Sequence, residues 1–214
     1  MTTRLRPATP ADASFLGRVM LLASRSHVAR GAWDIMFDGT DDEVIGLLAR
    51  MARADARSWC QWAGFVIAEV DGRPAAALSR FDRTEVGLLD PGDVAVQVLK
   101  AAGWTPERLA AALVRLKPFL TCIPPQNEGT WLVEWVATLP EYRRRGLVRL
   151  LLDEALALGR SEKHELAQLM ILIGNDTAQR AYERVGFAVT QEWRTSEFEA
   201  AVGCPGLARM LRKL

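Results

Sequence analysis

The segment 130–158 constrains the fold more than any other part of this sequence. It begins with TWLVEWVAT, whose β-branched and aromatic residues predict a strand at 130–138. A turn containing Pro140 follows, and leucine and alanine then recur at helical spacing over 146–158, which predicts a helix. A strand that passes through a short turn into an amphipathic helix indicates a sheet with helices packed on its faces.

The rest of the chain adds further strands and helices to this unit. Thr9 and Pro10 are a favourable start for a first helix that runs to about residue 26, and Asp71-Gly72 is a turn signal between two strand-like runs. The other predicted elements are a helix at 42–57, strands at 65–70, 75–81, 167–173, 187–198 and 207–213, and a helix at 177–185. Their order predicts a mixed sheet flanked by helices.

Residues 84–128 interrupt this pattern and predict a helical insertion. Its second helix begins at Thr105-Pro106-Glu107, where threonine suits the cap and proline suits the first helical position. The whole chain, 1–214, is expected to form a single domain. Between the first two helices, residues 27–39 predict a loop rich in large side chains, which indicates a contact surface.

Composition narrows the possible partners and cellular location. The 27 basic and 26 acidic residues leave a formal charge of +1, so no overall field attracts nucleic acid or anionic lipid. The three cysteines are widely spaced and odd in number, which argues against a disulfide framework and a zinc site. No apolar run approaches the ~20 residues that span a bilayer. We therefore expect a cytoplasmic protein without metal, nucleic acid or membrane partners.

The turn before the 146–158 helix carries three consecutive arginines, Arg143, Arg144 and Arg145, followed by Gly146. Cations are mildly unfavourable at a helix N-terminus, which already carries partial positive charge. A bound phosphate would explain them, because free N–H groups and arginines both bind its oxygens. For a single arginine, a solvated basic corner is the simpler interpretation, but three arginines with a glycine favour an anion site. The sequence contains neither GxxxxGK[ST] nor GxGxxG.

This turn resembles the pyrophosphate loop of the GNAT superfamily of N-acetyltransferases, which has the form [QR]xxGx[GA] after a strand. Residues 143–148 match it except at Val148, which replaces glycine or alanine. Residues 175–187, NDTAQRAYERVGF, are similar to the NxxAxxxYxxxGF segment of the superfamily, and include Asn175, Tyr182 and Phe187. The two motifs occur in the expected order, and the resemblance covers most of the chain apart from 84–128.

The resemblance implies an α/β (α+β) fold with a mostly antiparallel central sheet and a helical insertion between the third and fourth strands. It also implies transfer of an acetyl group from acetyl-CoA to a primary amine by direct attack. A backbone N–H near Val136 would stabilise the oxyanion. The implied cofactor-binding residues are Val136, Ala137, Thr138, Arg143, Arg144, Arg145, Gly146, Leu147, Val148 and Asn175.

The resemblance also implies a proton donor. Tyr182 would protonate the departing thiolate, since a phenol pKa near ~10 lies close to that of a thiol. A tyrosine that only packs is the alternative. Asn175 is also a natural helix cap, and this role is compatible with cofactor binding.

Glu134 is the candidate general base. Strand alternation predicts that it shares a face with Leu132, Val136 and Thr138, among apolar neighbours that would raise its pKa. An edge glutamate that points into solvent or pairs with an arginine remains an open alternative. His27 is an alternative base, because its unperturbed pKa lies near ~6.5.

The acceptor site is expected between the first two helices. His27, Trp33, Asp34 and Phe37 are its candidate lining residues, and the insertion is either a cap over it or a structural extension. Two other functions stay open: a CoA-binding sensor without turnover, and a nucleic-acid binder that uses 143–149, which the near-neutral charge disfavours. A homodimer is also left open, and the sequence does not identify the amine.

Overall fold

A computed structural model of the chain describes residues 2–82, 84, 91–123 and 129–214. Within these residues, one seven-stranded sheet is flanked by helices. The strands are β1 Thr3–Pro7, β2 Phe65–Val70, β3 Arg73–Asp82, β4 Thr130–Thr138, β5 Leu166–Leu172, β6 Ala188–Arg194 and β7 Gly206–Lys213. The helices are α1 Ala13–Arg25, α2 Ala32–Phe37, α3 Asp41–Arg53, α4 Pro91–Ala101, α5 Pro106–Leu120, α6 Leu147–Ser161, α7 Asp176–Glu183 and α8 Ser196–Val202.

The sheet is mostly antiparallel, with the strand order β1-β2-β3-β4-β5-β7-β6. Only β4 and β5 are parallel among the strand pairs of the described chain, and they pair over Thr130–Leu132 alone. Residues 133–138 of β4 therefore continue without a partner strand on the β5 side. This confirms the expected mixed sheet, and it opens a gap between its two central strands.

A β-bulge interrupts the other edge of β4. Glu134 pairs with Ser79 of β3, whereas the next paired residue, Ala137, lies opposite Ala77. Two residues of β4 thus face one residue of β3, as in a bulge. Trp135 lies within it and has a φ of 52°, which is uncommon for a residue with a side chain.

The bulge changes which side chains share a face of the sheet. Val136 packs in the same apolar cluster as Trp131 and Val133, so it lies on the face of the odd-numbered residues. Glu134 lies on the other face, because alternation holds up to the bulge. The prediction that Glu134 and Val136 share a face is therefore wrong, since the extra residue shifts the alternation by one position.

Two apolar clusters cover the two faces of the sheet. In β2, Phe65 and Ile67 join the cluster that contains residues of α1 and α3. Val66 and Ala68 point the other way, into the cluster that contains residues of α6. Among the described residues, no helix is both long enough and apolar enough to span a bilayer.

The structure contains two helices that the sequence patterns did not predict. Helix α2 lies inside the predicted loop 27–39, where the carboxylate of Asp34 accepts a hydrogen bond from the N–H of Gly31 at 2.8 Å and caps the helix. Helix α8 replaces the end of the strand predicted at 187–198. It begins where the hydroxyl of Thr195 accepts a bond from the N–H of Phe198 at 3.0 Å.

The insertion contains the two predicted helices, α4 and α5, between the third and fourth strands. Thr105 caps α5, because its hydroxyl accepts a hydrogen bond from the N–H of Arg108 at 3.3 Å. The guanidinium of Arg115 donates to the carbonyls of Ile35 and Met36, both at 3.1 Å, and so joins α5 to α2. The parts of the predicted insertion at 85–90 and 124–128 lie outside the described residues.

Replacement of Gly17 by alanine should destabilise the fold by about 1–3 kcal/mol, because α1 and α3 pack closely at this glycine. A Cβ at position 17 would lie 2.6 Å from the carbonyl oxygen of Ile45. Gly46 is a matched control in α3, since its added Cβ would have no neighbour within 4 Å. Gly46→Ala should stabilise by roughly 0.5–1 kcal/mol through helix propensity. Urea unfolding measures both; equal stability of Gly17→Ala and the original chain would contradict the close packing.

Candidate functional site

The three-arginine turn leads directly into helix α6. The side chains of Arg143, Arg144 and Arg145 are exposed, and the backbone of Arg144 has a φ of 62°. Gly146 occupies the N-cap position with a φ of 75° and offers no side chain to cap the helix. The first N–H groups of α6 therefore remain accessible to an anion from solvent.

Arg145 is held beside this turn by local contacts. Its guanidinium donates to the carbonyl oxygen of Glu141 at 3.4 Å and lies 5.4 Å from the ring centroid of Tyr142. Val148, which departs from the motif, is partly buried against the apolar cluster beneath α6. The extra bulk of its side chain is thus accommodated by the core, and the turn keeps its open backbone.

The gap between β4 and β5 lies next to this turn along the chain. Val136, Ala137 and Thr138 belong to the part of β4 without a β5 partner, and each is partly buried. Backbone N–H and C=O groups along such an edge can bind an extended ligand in the manner of an added strand. The candidate site therefore combines a turn suited to an anion with a strand edge suited to an extended ligand.

Glu134 lies at the start of the bulge and is only partly exposed. Its surroundings are dense, and this burial raises the pKa of the carboxyl group to about 8. This finding agrees with the expectation that apolar neighbours would raise its pKa. A carboxyl group of this kind can exchange a proton near neutral pH.

Tyr182 of α7 is the second titratable group of the site. Its side chain is 7% exposed, and burial raises its pKa well above the ordinary value, with a further contribution from the negative charge of Glu134. The assumption of a phenol pKa near ~10 is therefore wrong, because it ignored burial. The interaction also shows that the fold brings Glu134 and Tyr182 close enough to influence each other.

Asn175 caps α7 and connects it to the end of α1. Its side-chain oxygen accepts a hydrogen bond from the N–H of Ala178 at 3.1 Å, and its amide nitrogen donates to the hydroxyl of Ser26. His27 is exposed and lies against Gly174, where an added Cβ would be 3.2 Å from the imidazole Nε2. The residues after α1 therefore lie beside the N-terminus of α7.

The aromatic acceptor candidates lie against the bulge. The ring centroids of Trp33 and Trp135 are 5.4 Å apart, and Trp33 also stacks on Phe37 at 5.4 Å. Phe37 contacts Trp104, between α4 and α5, edge-on at 6.5 Å. A row of aromatic rings thus connects the bulge in β4 to the insertion.

Asp34 occupies a different environment from the other acceptor candidates. Its buried carboxylate pairs with Arg25 at 2.6 Å, in addition to its bond with the N–H of Gly31. These contacts hold α2 against the end of α1. The carboxylate of Asp34 is therefore engaged in contacts within the fold, apart from the aromatic row of Trp33 and Phe37.

Sequence patterns did not indicate Trp135 or Ser26 as parts of the site. Trp135 enters through the bulge, and no residue type in TWLVEWVAT signals an extra residue in the strand. Ser26 has a φ of 54° and bonds to Asn175, 149 residues further along the chain. Trp135 and Ser26 are therefore recognised as parts of the candidate site only from the tertiary structure.

Comparisons with known proteins assign this geometry to a class. The model of the acetyltransferase (GNAT) family matches residues 47–187. No curated protein sequence matches the chain. An N-acetyltransferase from Staphylococcus aureus Mu50 has a similar structure, with a TM-score of 0.65 at 18% identity over 97% of this chain and 99% of the other.

Two further solved structures share the fold. One is described only as an acetyltransferase, with a TM-score of 0.66 and 17% identity over 98% of both chains. The other is a GNAT-family acetyltransferase from Streptococcus pneumoniae, with a TM-score of 0.55 and 15% identity over 100% of this chain and 99% of the other. The chain belongs to the GNAT acetyltransferase family, whose chemistry is acyl transfer and whose members typically use acetyl-CoA.

The raised pKa of Glu134 should make the fold less stable as pH increases. Between about 4.5, its ordinary value, and about 8, the folded carboxyl keeps a proton that the unfolded chain has lost. The free energy of unfolding should therefore fall with pH in this range, by at most about 1.4 kcal/mol per pH unit. Glu134→Gln should remove this part of the decline, whereas Glu141→Gln, an exposed control, should not. Urea unfolding at several pH values is the measurement; identical pH dependence in the original chain and Glu134→Gln would contradict the raised pKa.

Proposed function

We propose that the protein transfers an acetyl group from acetyl-CoA to a primary amine of a small molecule or peptide by direct attack. The main supporting observation is the uncapped N-terminus of α6, which carries the three-arginine turn and follows the unpaired edge of β4. Family membership supports acyl transfer in general. The name of the N-acetyltransferase from Staphylococcus aureus motivates the choice of an amine acceptor.

The residues of the turn fit the diphosphate of acetyl-CoA. Residues 143–148 would supply exposed guanidinium groups and the free N–H groups of α6. Residues 136–138 would bond the amide groups of the pantetheine arm along their unpaired edge. Bound acetyl-CoA supplies the thioester carbonyl that an amine can attack. Asn175 would complete the binding site from the N-terminus of α7.

Glu134 would remove the proton of the acceptor ammonium, directly or through water. A free carboxylate is a poor base for an amine whose pKa is about 10.4, but the raised pKa of Glu134 narrows this difference. His27 remains the alternative base, since it is exposed and lies beside the N-terminus of α7. Glu134 is preferred because it lies at the bulge itself.

A backbone N–H near Val136 would stabilise negative charge on the acyl oxygen. The bulge leaves Trp135 and Val136 opposite a single residue of β3, so the regular ladder of hydrogen bonds is interrupted there. A fixed N–H dipole in a partly buried site stabilises developing charge without reorganisation. This role requires no side chain, which explains why strand residues of ordinary type can supply it.

Tyr182 would give a proton to the departing sulfur. Burial raises the pKa of its phenol, and the charge of Glu134 raises it further. Once Glu134 has taken the proton of the ammonium, its charge no longer raises the pKa of Tyr182. The phenol then becomes a better proton donor. Proton uptake at Glu134 therefore favours proton release at Tyr182.

The acceptor would bind beside Trp33 and Phe37, where the aromatic row extends from the bulge to the insertion. Helix α5 supports this wall through the bonds of Arg115 to α2. The alternative function is a sensor that binds CoA without turnover. Val148 is the position at which the turn departs from the family motif, but its side chain packs into the core. The structure of the turn therefore gives no specific support to a CoA-binding sensor that has lost its transferase activity.

Reversal of the charge of Arg145 should weaken CoA binding at least tenfold, because two charge units change beside the diphosphate. Arg160→Glu is a matched control, since Arg160 is exposed at the opposite end of the same helix. Calorimetric titration with CoA measures both affinities, and thermal unfolding shows that both variants fold. Equal affinities for the two variants would contradict the assignment of the turn.

Replacement of Tyr182 by phenylalanine should lower kcat by roughly 10²–10⁴-fold while CoA affinity stays within about twofold, because only proton donation is lost. The sequence contains one other tyrosine, Tyr142, which is partly buried next to the arginine turn. Tyr142→Phe should keep full turnover. Release of free CoA with a panel of amines is the measurement. Full speed in Tyr182→Phe would exclude its role as donor, and CoA binding without turnover in the original chain would favour the sensor.

A further inference from the structure

Ser79 of β3 has a buried hydroxyl group that the core packing does not explain. The residue is fully buried, and within the described part of the chain its Oγ has no hydrogen-bond partner. A buried hydroxyl without a partner is costly, so such groups usually have a partner or a function. Alanine would fill almost the same space without this cost. The serine therefore requires a reason other than packing.

The strand register places Ser79 directly opposite Glu134. Side chains of directly opposed residues lie on the same face of a sheet, with Cβ atoms about 4.5–5.5 Å apart. At this Cβ separation, serine and glutamate side chains are long enough for their oxygens to meet within hydrogen-bonding distance. The pair is the last regular one before the bulge, so it lies at the edge of the site.

Neighbouring residues in the described part of the chain define the surroundings of this hydroxyl. A Cβ on Gly64 would lie 3.0 Å from the Oγ of Ser79, which is tighter than ordinary van der Waals contact, so glycine leaves more room for the hydroxyl. Burial, with a further contribution from the charge of Glu134, raises the pKa of Cys60 and of Tyr182, which keeps both groups neutral near pH 7. Arg80, the next residue of β3, points to the other face and pairs with Glu154 at 2.9 Å.

We infer that Ser79 is a positioning residue that donates a hydrogen bond to the carboxylate of Glu134 and holds it toward the acceptor amine. This inference depends on the proposed function, in which Glu134 is the base. A donor to the charged form of a carboxyl group lowers its pKa and so opposes the effect of burial. Ser79 therefore adjusts the base toward neutral pH, and it does so without contact with the substrate.

Carbon-13 NMR of the glutamate carboxyl groups tests the hydrogen bond without any need for turnover. The signal of Glu134 is identified by its loss in Glu134→Gln. Its titration midpoint should rise by about one pH unit in Ser79→Ala, since a hydrogen bond to a charged group is lost. Ser161→Ala is the control, because that hydroxyl bonds to the carbonyl of Leu158 within α6 at 2.7 Å. Equal midpoints in the original chain and Ser79→Ala overturn the inference.

Kinetics test the consequence for the reaction. In Ser79→Ala, the acidic limb of the kcat/KM profile should move to higher pH by the same amount as the titration midpoint. At low pH, kcat/KM should then fall up to tenfold below that of the original chain, and at high pH the two should be equal. A purely structural serine would change stability and leave this limb in place, which also overturns the inference. If the midpoint rises but the original chain acetylates no amine, the proposed function fails while the Ser79 bond to Glu134 stands.

Discussion

The extra residue in β4 is the constraint on which the rest of the site depends. It interrupts the ladder with β3 just after Glu134, and on the other edge the pairing with β5 has already ended at Leu132. In a regular sheet, the backbone N–H and C=O groups of β4 would bond to both neighbouring strands. Here some of them remain free to bind a ligand at the centre of the sheet. The left-handed conformation of Trp135 carries a local cost, and its contact with Trp33 offsets part of it.

The two ends of the candidate site differ in charge. The arginine turn is exposed and strongly positive, whereas Glu134 is a carboxyl group in dense surroundings. An anionic ligand is therefore attracted at one end, and proton exchange near neutral pH is possible at the other. Because Glu134 also influences Tyr182, one proton movement changes the acidity of a second group across the gap between β4 and β5.

Sequence patterns predicted the parts of the fold that local interactions determine. The bounds of β4 match its strand pattern, and the cap at Thr105 correctly indicated the start of α5. Helix α2 was missed because its six residues depend on bonds from Arg115, some 80 residues further along the chain. The faces of β4 were misassigned after Glu134 because a bulge forms between strands, and its position is not encoded by the residue types of one strand.

One half of the candidate site is determined by a local segment of the sequence, and the other half by contacts between distant segments. Phosphate binding uses a helix N-terminus and adjacent cations, which one continuous segment supplies, so a sequence motif is enough to indicate it. The proposed acceptor site joins α2, β4 and the loop before α5, which aromatic contacts bring together. Because each ring contacts a partner from a different element, its substitution alters packing as well as recognition. The proposed acceptor site therefore depends on packing between α2, β4 and the insertion, whereas the proposed cofactor turn is one continuous segment.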